Sequence, residues 1–245
     1  MVWRDGPFSM PQFPDSDPSW RARLEPVYRL YVSLLGGSDR HGSVAGKLLW
    51  TGELDENGCA LMRAGNIAGA ASLGCTGDPA ALRHANRDGV ADFLVTSLDE
   101  ALRILKNEVR RRQAVSVGVS ADPVVVVAQM RERGVLPDLL PPRERDGRAE
   151  LDGFLAHGAR RVEAGRMPEG WTFQALSPAP PEFDRVAAAV LPEGDELNRR
   201  WLRLSPRYLG PAARRVRSLA CSPNVMTQLK TAWADHQTSG GLRAP

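Results

Sequence analysis

Between Gly46 and Leu140 short apolar runs alternate with longer amphipathic ones, and few topologies accommodate that alternation. AGKLLWTGE ends in a glycine-bearing loop and is followed by the small-residue helix CALMRAGNIAG; a second strand ends just before Asp78. ADFLVT then precedes the periodic SLDEALRILKNEVRRR, AVSVGVS precedes PVVVVAQMRERG, and PDLLPP closes the series. Strands that recur with a helix between them pair in parallel and bury both faces of their sheet. The expected fold is therefore α/β: a Rossmann-like doubly wound parallel sheet of about five strands.

In such a sheet the loops at the carboxyl ends of the strands share one crevice. Glu53, Asp55 and Glu56 follow the first strand, Asp78 the second and Asp122 the fourth, which predicts a gathering of carboxylates there. Phosphates bind instead to backbone N–H groups at a helix N-terminus, and acids ~4 Å away repel them by about 4 kcal/mol at an effective dielectric of 20. A hard cation such as magnesium, or an amine, suits the acids better, with Asp55 and Glu56 as the candidate metal ligands. A simpler role is also open, in which Asp55 or Asn57 caps the helix that follows.

Read without gaps, ELDENGCALMRAGNIAGAASLGCTGDP, RHANRDGVADFLVTSLDEAL and AVSVGVSADPVVVVAQMRERGVLPDLL resemble the Rossmann-like domain of urocanase (urocanate hydratase), over about two-fifths of the chain. Gly58 and Gly69 match family glycines, and Asp78 with Pro79 match the acidic residue and proline after the second strand. The resemblance implies a tightly held NAD that acts as an electrophile in adding water to urocanate, with Gly52, Gly58, Asp78 and Asp122 as the cofactor-facing positions. Several positions depart from the pattern. Asp55 and Glu56 stand where the family has adjacent glycines, Cys59 replaces a third, and Ala121 and Asp122 replace a glycine-asparagine pair. The positions of the family's DQTS stretch read Pro142, Arg143, Glu144, Arg145, so no catalytic residue carries over.

Outside this segment the chain divides into an extended arm at 1–18, a helix and linker at 19–45, the Rossmann-like domain at 46–141, a helical extension at 142–236 and a flexible tail at 237–245. Trp3, Phe8 and Phe13 give the proline-rich arm apolar groups that need a surface to lie on. Trp20, Leu24, Val27, Leu30, Tyr31 and Leu34 are spaced along one face of a helix that Ser19 or Asp17 caps and Gly36 and Gly37 stop. LDGFLAHGARRVEAG reads as a helix with His157 near its middle, and RMPEGWTFQALSPAPPEF as irregular. FDRVAAAVL, DELNRRWLRL, LGPAARRVRSLA and NVMTQLKTAWADH read as helices separated by Pro192, Pro206 and Pro223, with Asp195 and Asn224 as N-caps. His41, in a polar loop, and His157 are read as surface residues.

A net charge of +3 is too small to imply nucleic acid, and no stretch approaches the ~20 apolar residues of a membrane span. Of 32 basic residues only Lys47, Lys106 and Lys230 are lysines, so arginine supplies nearly all the positive charge. Cys59, Cys75 and Cys221 lack zinc spacing, which leaves reduced thiols and a soluble cytoplasmic protein as the expectation. The aromatic arm and two-sided C-terminal helices predict a homodimer, with a small molecule as the other expected partner. Three functions fit: a urocanase-like protein without hydratase activity that acts through assembly or regulation; an enzyme of altered chemistry using the crevice acids; and an NAD-dependent hydratase or lyase acting on a small imidazole-like substrate. They rank in that order.

Overall fold

The structure, a computed structural model, describes residues 13–36, 44–142, 151–163 and 165–240. Its centre is a six-stranded sheet in which every pairing is parallel: β1 (Leu48–Glu53), β2 (Ala71–Thr76), β3 (Phe93–Val95), β4 (Val115–Ser120), β5 (Leu139–Leu140) and β6 (Arg160–Arg161). The strands lie in the order β3-β4-β2-β1-β5-β6, and β1, β2 and β4 are buried along nearly their whole length. Near-continuous burial is what a sheet covered on both faces requires, and the small polar side chains of these strands, Thr51, Ser72, Thr76 and Ser116, are buried with the apolar ones.

Each crossover helix starts where a short polar side chain turns the chain. Asp55 caps α2 (Glu56–Ala68), Asp78 caps α3 (Pro79–Arg87), Ser97 caps α4 (Leu98–Arg111) and Asp122 caps α5 (Pro123–Glu132), with proline opening α3 and α5. One core lies where Trp50, Leu73, Val117 and Val119 meet α4, α5 and the short α6 (Asp152–Ala156). On the other face Leu49, Leu61, Ile67 and Leu139 join the residues of α1 (Pro18–Gly36), while Leu54, Met62, Leu82 and Ala85 pack α3 beside α2. Gly74 and Gly118 stand side by side on β2 and β4. A Cβ at Gly74 would come within 2.6 Å of Leu54, so the pair opens the trough that those leucines fill.

Outside the sheet, β7 (Thr172–Leu176) and β8 (Arg217–Cys221) form an antiparallel pair packed against α7 (Glu182–Val190), α8 (Glu196–Tyr208) and α9 (Pro223–Gly240). The joint between this unit and the sheet is α1. Tyr28 and Tyr31 of α1 meet Phe173 of β7 and Trp201 of α8, with Tyr28 4.9 Å and Tyr31 5.3 Å from the Trp201 ring. Such ring pairs add about 0.5–1.5 kcal/mol each to the burial of their area. The two hydroxyls are satisfied as well: Tyr28 donates to Asn198 Oδ1 at 2.8 Å and Tyr31 to the carbonyl of Leu197 at 2.9 Å. Asn198 in turn donates to Asp195 and to the carbonyl of Ala220, which ties α8 to β8.

Several expectations are corrected. LGPAARRVRSLA is not a helix; after a 3-10 turn at Pro211–Ala213 it becomes β8, whose five residues are all buried. Its partner β7 lies in the stretch expected to be irregular. The helix expected through His157 ends at Ala156, and Gly158, at φ 94°, turns the chain into β6. Pro206 lies inside α8 rather than after it. Ser222, not Asn224, caps α9, accepting from Val225 N at 3.4 Å, and residues 237–240 of the expected tail continue that helix. The cap of α1 is Asp17, which accepts from Ser19 N and Trp20 N. Of the arm's aromatics, Phe13 lies edge-on to Phe183, its ring 5.9 Å away, while Trp3, Phe8 and His41 lie outside the described residues.

Candidate functional site

The crossovers diverge at β1, because α2 carries the chain to β2 on one side and α5 brings it from β4 to β5 on the other. A crevice opens at the carboxyl ends where neighbouring strands diverge in this way. There Thr51, Glu53, Asp55, Asn57 and Gly58 from the end of β1 and the start of α2 face Pro141 and Pro142 after β5, with Leu30 and Leu61 closing the back. The cavity they enclose is about 50 Å³.

The polar end of this cavity is the N-terminus of α2, and its donors are already in use. Asp55 Oδ1 accepts from the backbone N–H of Asn57 at 2.9 Å and of Gly58 at 2.8 Å. Of the two capping residues proposed from sequence, it is Asp55 that caps. The far end of the same helix is closed by a cation: Arg200 of α8 donates from Nε to the carbonyl of Ile67 and from a terminal nitrogen to that of Ala68, both at 2.8 Å. Burial draws the Arg200 guanidinium's pKa down from its ordinary value. Negative charge at the start of a helix and positive charge at its end both complement the helix dipole.

The two glycines expected to face a cofactor have structural work to do. Gly52 has φ 79° and lies at a bulge where the register of β1 against β2 shifts between Trp50 and Gly52. Gly58 lies against the strand it follows: a Cβ there would fall 1.8 Å from the carbonyl oxygen of Glu53. That glycine permits helix and strand to touch, which is a packing role.

Of the acids expected together, Glu53 and Asp55 line the cavity and Glu56, Asp78 and Asp122 do not. Asp78 accepts from Ala80 N at 2.8 Å and Asp122 from Val124 N at 2.7 Å, each at the head of its own helix. No group of three or more His, Cys, Asp or Glu side chains is arranged to hold a metal among the described residues. Burial, reinforced by Asp55 and Asp88 against the pull of Arg63, pushes the thiol of Cys59, one turn into α2, up to about 11. His84, His157 and His236 lie elsewhere, His157 Nδ1 facing the carbonyl of Gly153.

Sequence reasoning missed Leu30, Thr51, Leu61 and Pro141 as lining residues, and Arg200 as the C-terminal partner of α2. Leu30 was legible as a core position of α1, but nothing local signals that α1 reaches the crevice. A family model for the urocanase Rossmann-like domain matches residues 31–173 of the chain.

Proposed function

Because the chain belongs to the urocanase family, we propose that it is a member without urocanate hydratase activity, acting as a homodimeric regulatory module in the cytoplasm. The observation that carries this reading is the Asp55 carboxylate on the N–H groups of Asn57 and Gly58. Those are the donors a Rossmann-like fold offers to a pyrophosphate, and here an internal anion holds them. The NAD that the family implies does not fit the residues present. It would have to displace the Asp55 cap, at a cost of about 1 kcal/mol, and then bind beside the charges of Asp55 and Glu53. Gly58 cannot offer close backbone approach, since its Cα face is already against Glu53. Asp78, the residue suited by position to a ribose hydroxyl, is engaged as a cap.

Among the described residues the cavity lining holds no cysteine, serine or histidine, which favours binding over catalysis. Val124, Val125 and Leu136, 42–49% exposed on and just after α5, support self-association. Among the described residues no helix is long and apolar enough to cross a membrane. The test is to purify the full chain, weigh it by native mass spectrometry and follow urocanate by its ultraviolet absorbance. The expected result is a protein mass without NAD and no turnover, with or without added NAD. A retained NAD together with loss of urocanate absorbance would overturn the proposal in favour of a working hydratase. Light scattering should give a dimer at tens of micromolar, and a monomer would remove that part of it.

A further inference from the structure

A second and larger concavity lies at the opposite end of the sheet. It is a cleft of about 730 Å³ at the amino ends of β3 and β4, bounded by the last turns of α4 and by Arg207 near the end of α8. Its size falls within the range of small-molecule sites. Phe93, at the edge of the sheet, is 48% exposed there, and Ile104 of α4 adds a second apolar side chain to the lining.

Charge decides what the cleft would take. Two acids line it, and both are committed: Asp92 accepts from the backbone N–H of Ser116 at 2.9 Å and its hydroxyl at 2.8 Å, and Glu108 is paired with Arg111 at 3.2 Å. Its two cations form no close ion pair. Neither Arg103 nor Arg207 forms an ion pair within 4 Å among the described residues, and Arg207 lies over the Tyr208 ring at 5.1 Å. The acid nearest in sequence to Arg103, Glu100, takes its hydrogen bonds from the backbone and hydroxyl of Thr96, and Arg103 acts on it only through space. Asn107, which also lines the cleft, adds an amide that can donate and accept.

We propose that this cleft binds a small organic anion with a flat aromatic body, its ring on Phe93 and Ile104 and its carboxylate or phosphate held by Arg103 and Arg207. Guanidinium groups grip pairs of carboxylate or phosphate oxygens through paired donors, and an exposed ring beside them supplies the stacking surface. The site would span α4 of the sheet and α8 of the C-terminal unit, so its ligand would clamp one to the other.

The probe is 2-naphthoate, titrated into the isotopically labelled full chain and followed by amide chemical shifts. Saturable shifts centred on Phe93, Asn107, Ala114 and Val115, with a Kd of about a millimolar or tighter, are expected. Arg103→Gln and Arg207→Gln should each weaken binding about tenfold. The uncharged 2-naphthalenemethanol should bind as weakly as those variants, and unchanged spectra elsewhere would show that the variants remain folded. No saturation, shifts centred away from the cleft, or equal binding of naphthoate to the wild type and both arginine variants would overturn the proposal. So would a Phe93→Ser variant that binds naphthoate unchanged but no longer self-associates, since that would make the cleft a contact between copies.

Discussion

Asp55 and Arg200 hold opposite ends of one helix, the carboxylate on the first free N–H groups of α2 and the guanidinium on its last carbonyls. One residue is local to the helix and the other arrives from more than a hundred positions away. Removing Asp55 by Asp55→Ala should cost about 1 kcal/mol, the usual worth of an N-cap. Arg200→Ala should cost about 2 kcal/mol, because it leaves the carbonyls of two buried residues without their charged donor. The two sites lie a helix length of about 20 Å apart, so the losses should add in the double variant. Urea denaturation of the three variants checks all of this.

Gly58→Ala tests packing against ligand approach. With its Cβ placed 1.8 Å from the Glu53 carbonyl, the variant must push α2 off β1, and a loss of about 3 kcal/mol in the same denaturation assay is expected. A variant of native stability would show that the glycine serves something other than this contact.

The Asp55→Gly, Glu56→Gly double variant frees the α2 donors and removes two negative charges together. ADP-ribose affinity measured by calorimetry at low salt should rise about tenfold or more over the unaltered protein. Asp122→Asn removes one charge at a different helix and should leave the affinity nearly unchanged. Tight binding by the unaltered protein would mean that Asp55 yields its cap readily.

Glu25 gives an acid-sensitive contribution with a definite sign. Burial raises its pKa, but hydrogen bonds from Arg29 and Arg21 outweigh that and hold it below the usual glutamate value of 4.5. The stabilisation is therefore present above pH 4.5 and lost as pH falls through the lowered value. Glu25→Gln should cost about 0.5–1 kcal/mol near pH 6, and the melting temperatures of variant and wild type should converge toward pH 3.

Cys59 should resist alkylation. With its thiol at about 11 against an ordinary 9.0, its thiolate fraction at pH 8 is about a hundredfold lower than in an unfolded chain. Timed iodoacetamide labelling read by mass spectrometry should show that lag, and denaturant should abolish it.

The alternation of apolar runs made the sheet legible, because parallel strands covered on both faces leave little choice of topology. What the crevice contains was harder to read. Asp55 could be a phosphate-repelling acid or a cap, and both roles use the same residue at the same position. Only the direction of its carboxylate, onto Asn57 and Gly58, separates them. The C-terminal error has another cause. VRSLAC is short and arginine-bearing, and it becomes a strand because β7, some forty residues earlier, presents an edge that no local pattern announces. Arg217 is tolerated in that buried strand because Asp184 meets its Nε at 2.8 Å, a pairing between distant segments that composition cannot reveal.

The aromatic joint at α1 also bears on how the polypeptide can be divided. Ending it after β7 would leave a strand with an open hydrogen-bonding edge and strip Trp201 from the rings of Tyr28, Tyr31 and Phe173. Such an edge recruits strands from other molecules. The sheet and the C-terminal strand pair are thus two halves of one cooperative folding unit, and the shorter piece would be a seed for aggregation rather than a miniature of the whole.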